Sequence, residues 1–290
     1  MQCTIKLTHY TMIQINKLAF SYGPVEVLKN ISMRLEPGRI YGLLGENGVG
    51  KTTLLTLLSG LKKAAAGTID IDGYNPYRRD PGFLSQLYYL PDEVAPQNDR
   101  AENWARYKGA FWPGFSMDKF NGIMEIFEND PTRKMNAMSS GQLKKTYISF
   151  ALACGTKYIF LDEPTNALDI PSKAQFRTAI LKYTSEDATI VISTHQVRDL
   201  EDIIDPVIIL DRQDVLLNAS MEEISSKLYF DYSNTLNPSS LYSEQLPGGF
   251  IQVYPNTEKK DCKVNVEALF NTVHKNKELI KGLFSNGQNI

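Results

Sequence analysis

The densest chemistry in the chain lies in Gly45-Glu46-Asn47-Gly48-Val49-Gly50-Lys51-Thr52, which fits the pattern G-x-x-x-x-G-K-[ST]. Glycines at this spacing let backbone N–H groups turn inward around an anion. Lys51 adds a cation for the outer phosphates, and the Thr52 hydroxyl is an oxygen donor for Mg²⁺. The apolar run Ile40–Leu44 precedes the loop, and a helical pattern begins near Lys51 and stops by Gly60. A buried strand feeding a helix presents loop amides and the positive end of the helix dipole to a phosphate. An accidental glycine-rich turn would lack that setting.

A second apolar run, Tyr158-Ile-Phe-Leu, ends in the carboxylates Asp162 and Glu163. At the C-terminal edge of a parallel sheet, beside the phosphate loop, Asp162 would hold Mg²⁺. Glu163 would orient or deprotonate an attacking water. Such a pair is by itself an ordinary polar turn; the phosphate loop in the same chain is what gives it a reaction.

These groups need a scaffold, and the remaining sequence supplies its pattern. Residues 12–20 alternate apolar and polar, as a strand does, and 27–35 and 67–73 read as further strands. Residues 99–128 read as helical with an interruption at Pro113-Gly114, and 142–154 as a further helix. The runs 158–161 and 189–193 are core strands, with a helix starting near Pro171 between them. Strands alternating with helices predict an α/β fold with a mostly parallel sheet. Beyond about Asn218 the texture changes: 234–249 is rich in Ser, Asn and Pro, 250–254 is strand-like, and 266–284 reads as one helix.

With these motifs in order, the chain resembles the ABC ATPase family from about residue 13 to 218. Met138-Ser139-Ser140-Gly141-Gln142 is similar to the family's Leu-Ser-Gly-Gly-Gln signature, although Ser-Ser-Gly before a helix is also a common helix cap. Asn166-Ala-Leu-Asp169 resembles the D-loop, Ile192-Ser-Thr-His195 the switch strand, and Tyr22 in Phe20-Ser-Tyr-Gly23 the adenine-stacking aromatic. The resemblance implies a P-loop NTPase core with an antiparallel N-terminal β subdomain, an inserted helical subdomain at about 93–153, and a small α+β appendix. It divides the chain into a cassette, 12–218, and an accessory region, 219–290. It implies ATP and Mg²⁺ as cofactors, with Glu163 and His195 catalytic. Nucleotide would be held by Tyr22, residues 45–52, Thr53, and Ser139, Ser140, Gly141 and Gln142 of a partner subunit. Thr52, Asp162 and Asp92 would face the metal. Three departures stand out. Asp92 replaces the family's glutamine after Tyr89-Leu90-Pro91, Met138 and Ser140 alter the signature, and Glu46 replaces a proline.

Composition narrows the partners. The formal net charge is −2 and no basic run stands out, so no nucleic acid is expected. The three cysteines form no C-x-x-C pair, which points to a reduced compartment rather than a disulfide framework. The N-terminus carries no signal-peptide core, and no stretch approaches the ~20 apolar residues of a membrane span. The resemblance then implies a cytoplasmic subunit, peripheral on the inner face of the cell membrane. It would form a homodimer or heterodimer and drive a separate transmembrane permease. The runs 111–115 and 127–134 are similar to those of bacterial drug- or lipid-exporter subunits. Trp104, Phe111 and Trp112 fit either the permease interface or the helical subdomain's own core. A soluble ABC ATPase acting on ribosomes, nucleic acid or protein complexes is the alternative. A regulatory subunit that hydrolyses slowly is a third reading.

Overall fold

The computed structural model of the chain describes residues 12–211 and 214–284; the reading of the first eleven residues lies outside them. The chain opens with a hairpin of β1 (Ile13–Tyr22) and β2 (Val25–Leu35). It passes through β3 (Ile40–Leu44) and α1 (Lys51–Leu58) and returns as β4 (Ala66–Ile71). Strands β1, β2 and β4 form an antiparallel sheet in the order β2-β1-β4. Their alternating pattern fits one buried face, with Ile13, Ile15, Leu28, Ile31 and Ile71 inside.

The short α2 (Pro81–Leu84) and β5 (Leu87–Leu90) follow. Then come three helices: α3 (Ala101–Gly109), α4 (Met117–Ile126) and α5 (Ser140–Ala153). The expected break at Pro113-Gly114 separates α3 from α4, and a Cβ on Gly114 would lie 3.0 Å from the Cys154 and Gly155 carbonyl oxygens. The chain continues through β6 (Tyr158–Asp162), α6 (Ile170–Tyr183), β7 (Thr189–Thr194), β8 (Val207–Asp211) and β9 (Asp214–Ala219).

The central sheet runs β5-β6-β7-β3-β8-β9, parallel throughout except for β9 against β8. Every residue of β6 and β7 is buried. Covered faces on both sides explain why these strands read as unbroken apolar runs. Leu43 and Phe160 pack toward the antiparallel sheet and α1, while Leu44, Ile159 and Leu161 pack toward α3–α5.

Past β9 the chain forms α7 (Met221–Lys227), β10 (Leu228–Ser233), β11 (Tyr242–Leu246), β12 (Gly249–Pro255), α8 (Val266–Lys275) and α9 (Lys277–Phe284). The strands pair in the order β10-β12-β11. Leu228, Val253, Leu269 and Ile280 share one apolar cluster with Leu161 and Ile192, so this region is packed with the central sheet in one core. The single helix expected over 266–284 is divided at Asn276. Its amide donates to the Leu241 and Thr272 carbonyls, a side-chain bond that competes with continued helix. Among the described residues, no helix is long and apolar enough to cross a membrane.

Candidate functional site

Parallel pairing sets the site. Leu44 lies level with Thr194, Ser193 with Asp162, and Leu161 with Leu90. The segments leaving β3, β5, β6 and β7 therefore share one sheet edge, where ligands of open α/β sheets bind. Those segments carry the phosphate loop, Asp92, Asp162-Glu163 and His195.

The loop's glycines are required by geometry. Gly50 caps α1 at φ 108°, and a Cβ there would meet Leu28 Cδ2 at 2.8 Å. A Cβ on Gly45 would meet the Leu210 carbonyl oxygen at 2.6 Å, and Gly48 sits at φ 82°. Glu46 and Asn47 are exposed, whereas the Val49 side chain is buried and leaves only its backbone toward the loop. Buried Lys51 donates from Nζ to the Gly45 and Glu46 carbonyls at 2.8 and 3.2 Å and stands 3.7 Å from Glu163 Oε1. Burial lowers its pKa, opposed by Glu163 and Asp162. Thr52 is exposed at the start of α1, and Thr53 turns inward. The Tyr22 hydroxyl lies 3.4 Å from Thr53 Oγ1, which ties the half-exposed aromatic to the loop.

Asp162 is buried and accepts from Ser193 Oγ at 2.5 Å and from the Tyr89 hydroxyl at 3.4 Å. Burial, and then Asp162 itself, push the Tyr89 pKa up, so the phenol stays protonated as a donor. Glu163 has φ 44°, a left-handed backbone that strains any residue but glycine. Its N–H is anchored on the Ser193 carbonyl and hydroxyl at 3.1 and 3.0 Å. Its carboxylate lies 3.0 Å from His195 Nδ1 through Oε2. A carboxylate thus held between the loop lysine and a histidine can accept a proton from water as the water's oxygen attacks.

The signature segment starts α5. Ser139 Oγ accepts the Gln142 N–H at 3.2 Å, and Gln142 Oε1 accepts the Ser139 N–H at 3.0 Å. Gln142, expected to bind nucleotide, has its side chain closing this capping box. Ser139 and Ser140 are exposed. Gly141 packs on the D-loop, where a Cβ would meet the Ala167 carbonyl oxygen at 2.9 Å. Asp92, expected at the metal, points its Oδ1 at Lys144 (3.7 Å) and Asn166 Nδ2 (3.2 Å). Sequence reasoning missed Lys144 and Tyr89; the available signal was a lysine at a buried position of α5.

Residues 28–166 match the ABC transporter family model. An ABC transporter ATP-binding protein of Synechocystis sp. is 31% identical over 229 residues, which cover 73% of this chain and 76% of that relative. The chain belongs to the ABC transporter ATP-binding protein family. YtrB, an ABC transporter ATP-binding protein of Bacillus subtilis, is 30% identical over 66% of this chain and 65% of its own length. A solved ATP-binding subunit of an ABC transporter superposes with a TM-score of 0.66 at 23% identity, over 74% of this chain and 92% of that one, so the fold is shared. The protein is therefore an ATP-binding, ATP-hydrolysing ABC subunit.

In this ABC subunit the three aromatics of the helical segment divide. Trp104 is buried 4.6 Å from Phe150 and belongs to the core, whereas Trp112 is half-buried and donates from Nε1 to the Leu87 carbonyl at 2.9 Å. Phe111 is 73% exposed. It lines a groove of about 530 Å³ with Leu61, Arg79, Pro81, Leu84 and Trp112.

Proposed function

We propose that this subunit dimerises around ATP, as a homodimer or with a sister chain, and drives a separate transmembrane permease from the inner face of the cell membrane. The observation that carries the hydrolytic half is Glu163, fixed between Lys51 and His195 at the shared sheet edge. Residues 45–53 hold the phosphates, Tyr22 stacks on adenine, Glu163 activates water and His195 meets the γ-phosphate. Ser139, Ser140 and Gly141 cap the partner's nucleotide from the exposed start of α5. The hard oxygen donors Thr52 and Asp162 suit Mg²⁺, and Asp162 already accepts two neutral hydroxyls, which leaves its charge for a cation. Mg²⁺, when bound, neutralises phosphate charge.

The apolar Phe111 groove supports docking of a permease's cytoplasmic segment, since exposed aromatics beside a concave apolar surface mark interfaces. Export is the direction we infer, from the likeness of runs 111–115 and 127–134 to exporter subunits. Residues 12–218 form the cassette and 219–290 the accessory region. The test is capture of partners from detergent-solubilised host membranes with tagged Glu163→Gln protein and ATP. A near-stoichiometric polytopic membrane protein supports the proposal. Recovery of ribosomal or soluble partners alone overturns it in favour of a soluble ABC ATPase.

A further inference from the structure

Lys144 is the most conspicuous charge that the hydrolytic machinery does not use. It lies on α5, two residues past the signature, and is 2% exposed. Its ammonium donates to the Asp92 and Pro91 carbonyls at 2.6 and 3.2 Å and pairs with Asp92 Oδ1 at 3.7 Å. The same Oδ1 accepts from Asn166 Nδ2 at 3.2 Å, and the Asn166 N–H donates to the Glu163 carbonyl at 3.2 Å. One chain of contacts thus runs from the signature helix through the loop after β5 and the D-loop to the backbone of the catalytic glutamate. Burial lowers the Lys144 pKa, and Asp92, then Asp162 and Glu163, oppose the shift, which places the ammonium within electrostatic reach of both acids.

A buried ammonium needs a carboxylate, because carbonyls alone leave its charge uncompensated. We propose that Lys144 is a positioning residue for ATP hydrolysis, holding the loop at Pro91-Asp92 and, through Asp92, Asn166 beside Glu163, and that Asp92 is the counter-ion of Lys144 and not a magnesium ligand. The departure from glutamine at position 92 then follows from the lysine at 144: an uncharged amide could not neutralise it. The inference rests on the hydrolytic reading of Glu163.

The test compares the purified full chain with Asp92→Asn, Lys144→Met, Lys144→Arg and the Asp92→Asn/Lys144→Met double variant, with Glu163→Gln as control. Steady-state hydrolysis is measured while ATP and Mg²⁺ are each titrated. A misplacement of about 1 Å at a reacting group costs up to about 100-fold in rate, so each of Asp92→Asn and Lys144→Met is expected to lower kcat by about tenfold or more. The KM for ATP and the half-activating Mg²⁺ concentration stay within about twofold of wild type. The double variant falls no further than the worse single, because the two residues act as one unit, and Lys144→Arg retains more activity than Lys144→Met. An about tenfold higher Mg²⁺ requirement in Asp92→Asn overturns the proposal and makes Asp92 a metal ligand. Multiplicative losses in the double variant also overturn it. The Asp92 side chain is 45% exposed, so Asp92→Asn opens no cavity and leaves the Lys144 bonds to the Pro91 and Asp92 carbonyls available, and its Mg²⁺ titration decides the question even if Lys144→Met is insoluble. Wild-type activity that survives Glu163→Gln would instead sink the underlying hydrolytic reading, a distinct result.

Discussion

Glu163 holds a left-handed backbone at φ 44° with its side chain buried between Lys51 and His195, so fold stability and the proposed catalytic role make opposite demands on it. Replacing it by alanine keeps the unfavourable backbone and removes the side chain; replacing it by glycine also removes the backbone strain. A left-handed residue with a Cβ costs about 1–2 kcal/mol. Glycine gives back about 0.4–1 kcal/mol through the freedom of the unfolded chain. Glu163→Gly is therefore expected to be more stable than Glu163→Ala by about 0.5–1 kcal/mol, or about 1–4 °C in Tm at roughly 2–4 °C per kcal/mol. Both variants, and Glu163→Gln, lose the group proposed to activate water, for an expected loss of about 10²–10⁴ in kcat or roughly 3–5 kcal/mol of transition-state stabilisation. Thermal unfolding by circular dichroism and a phosphate-release assay measure the two effects on the same samples. An alanine variant as stable as the glycine variant would show that no strain is stored at Glu163. Unchanged hydrolysis in Glu163→Gln would refute its catalytic role.

Gly50→Ala places a Cβ 2.8 Å from Leu28 at φ 108°, so both stability and binding of a fluorescent ATP analogue should fall; intact binding would contradict the loop geometry. Trp104→Ala should cost about 3–5 kcal/mol in denaturant unfolding, as a buried aromatic does. Phe111→Asp should stay within about 0.5 kcal/mol of wild type yet lose capture of a membrane partner, and equal destabilisation would place Phe111 in the core instead. Burial lowers the His274 pKa below its usual 6.5, so the unfolded chain takes up that proton first as pH falls. Wild type should lose more Tm than His274→Gln between about pH 7.5 and about pH 5.5, and equal losses would show that the imidazole is not desolvated in the fold.

The phosphate loop was legible because its function is local. Eight consecutive residues fix where glycines must turn and where Lys51 stands, and the apolar run before them announces a strand covered on both faces. Strands β6 and β7 were legible for the same reason, and the Ser139-x-x-Gln142 spacing carried the capping box that the structure shows. Other features depended on segments far apart in the chain. Trp104, Phe111 and Trp112 have one chemistry in the sequence, and only the packing of the helical segment puts Trp104 inside and leaves Phe111 and Trp112 at a groove. The break at Asn276 needed Leu241, a residue 35 positions away, to accept its amide. The partners of Asp92 were not legible, because only the sheet order sets β5 beside β6 and brings α5, with Lys144, against it. Sequence by itself determined the motifs whose geometry is set by backbone neighbours. Tertiary structure decided which charges meet, because pairing energy depends on distance and burial, and these are fixed only when the strands take their order in the sheet.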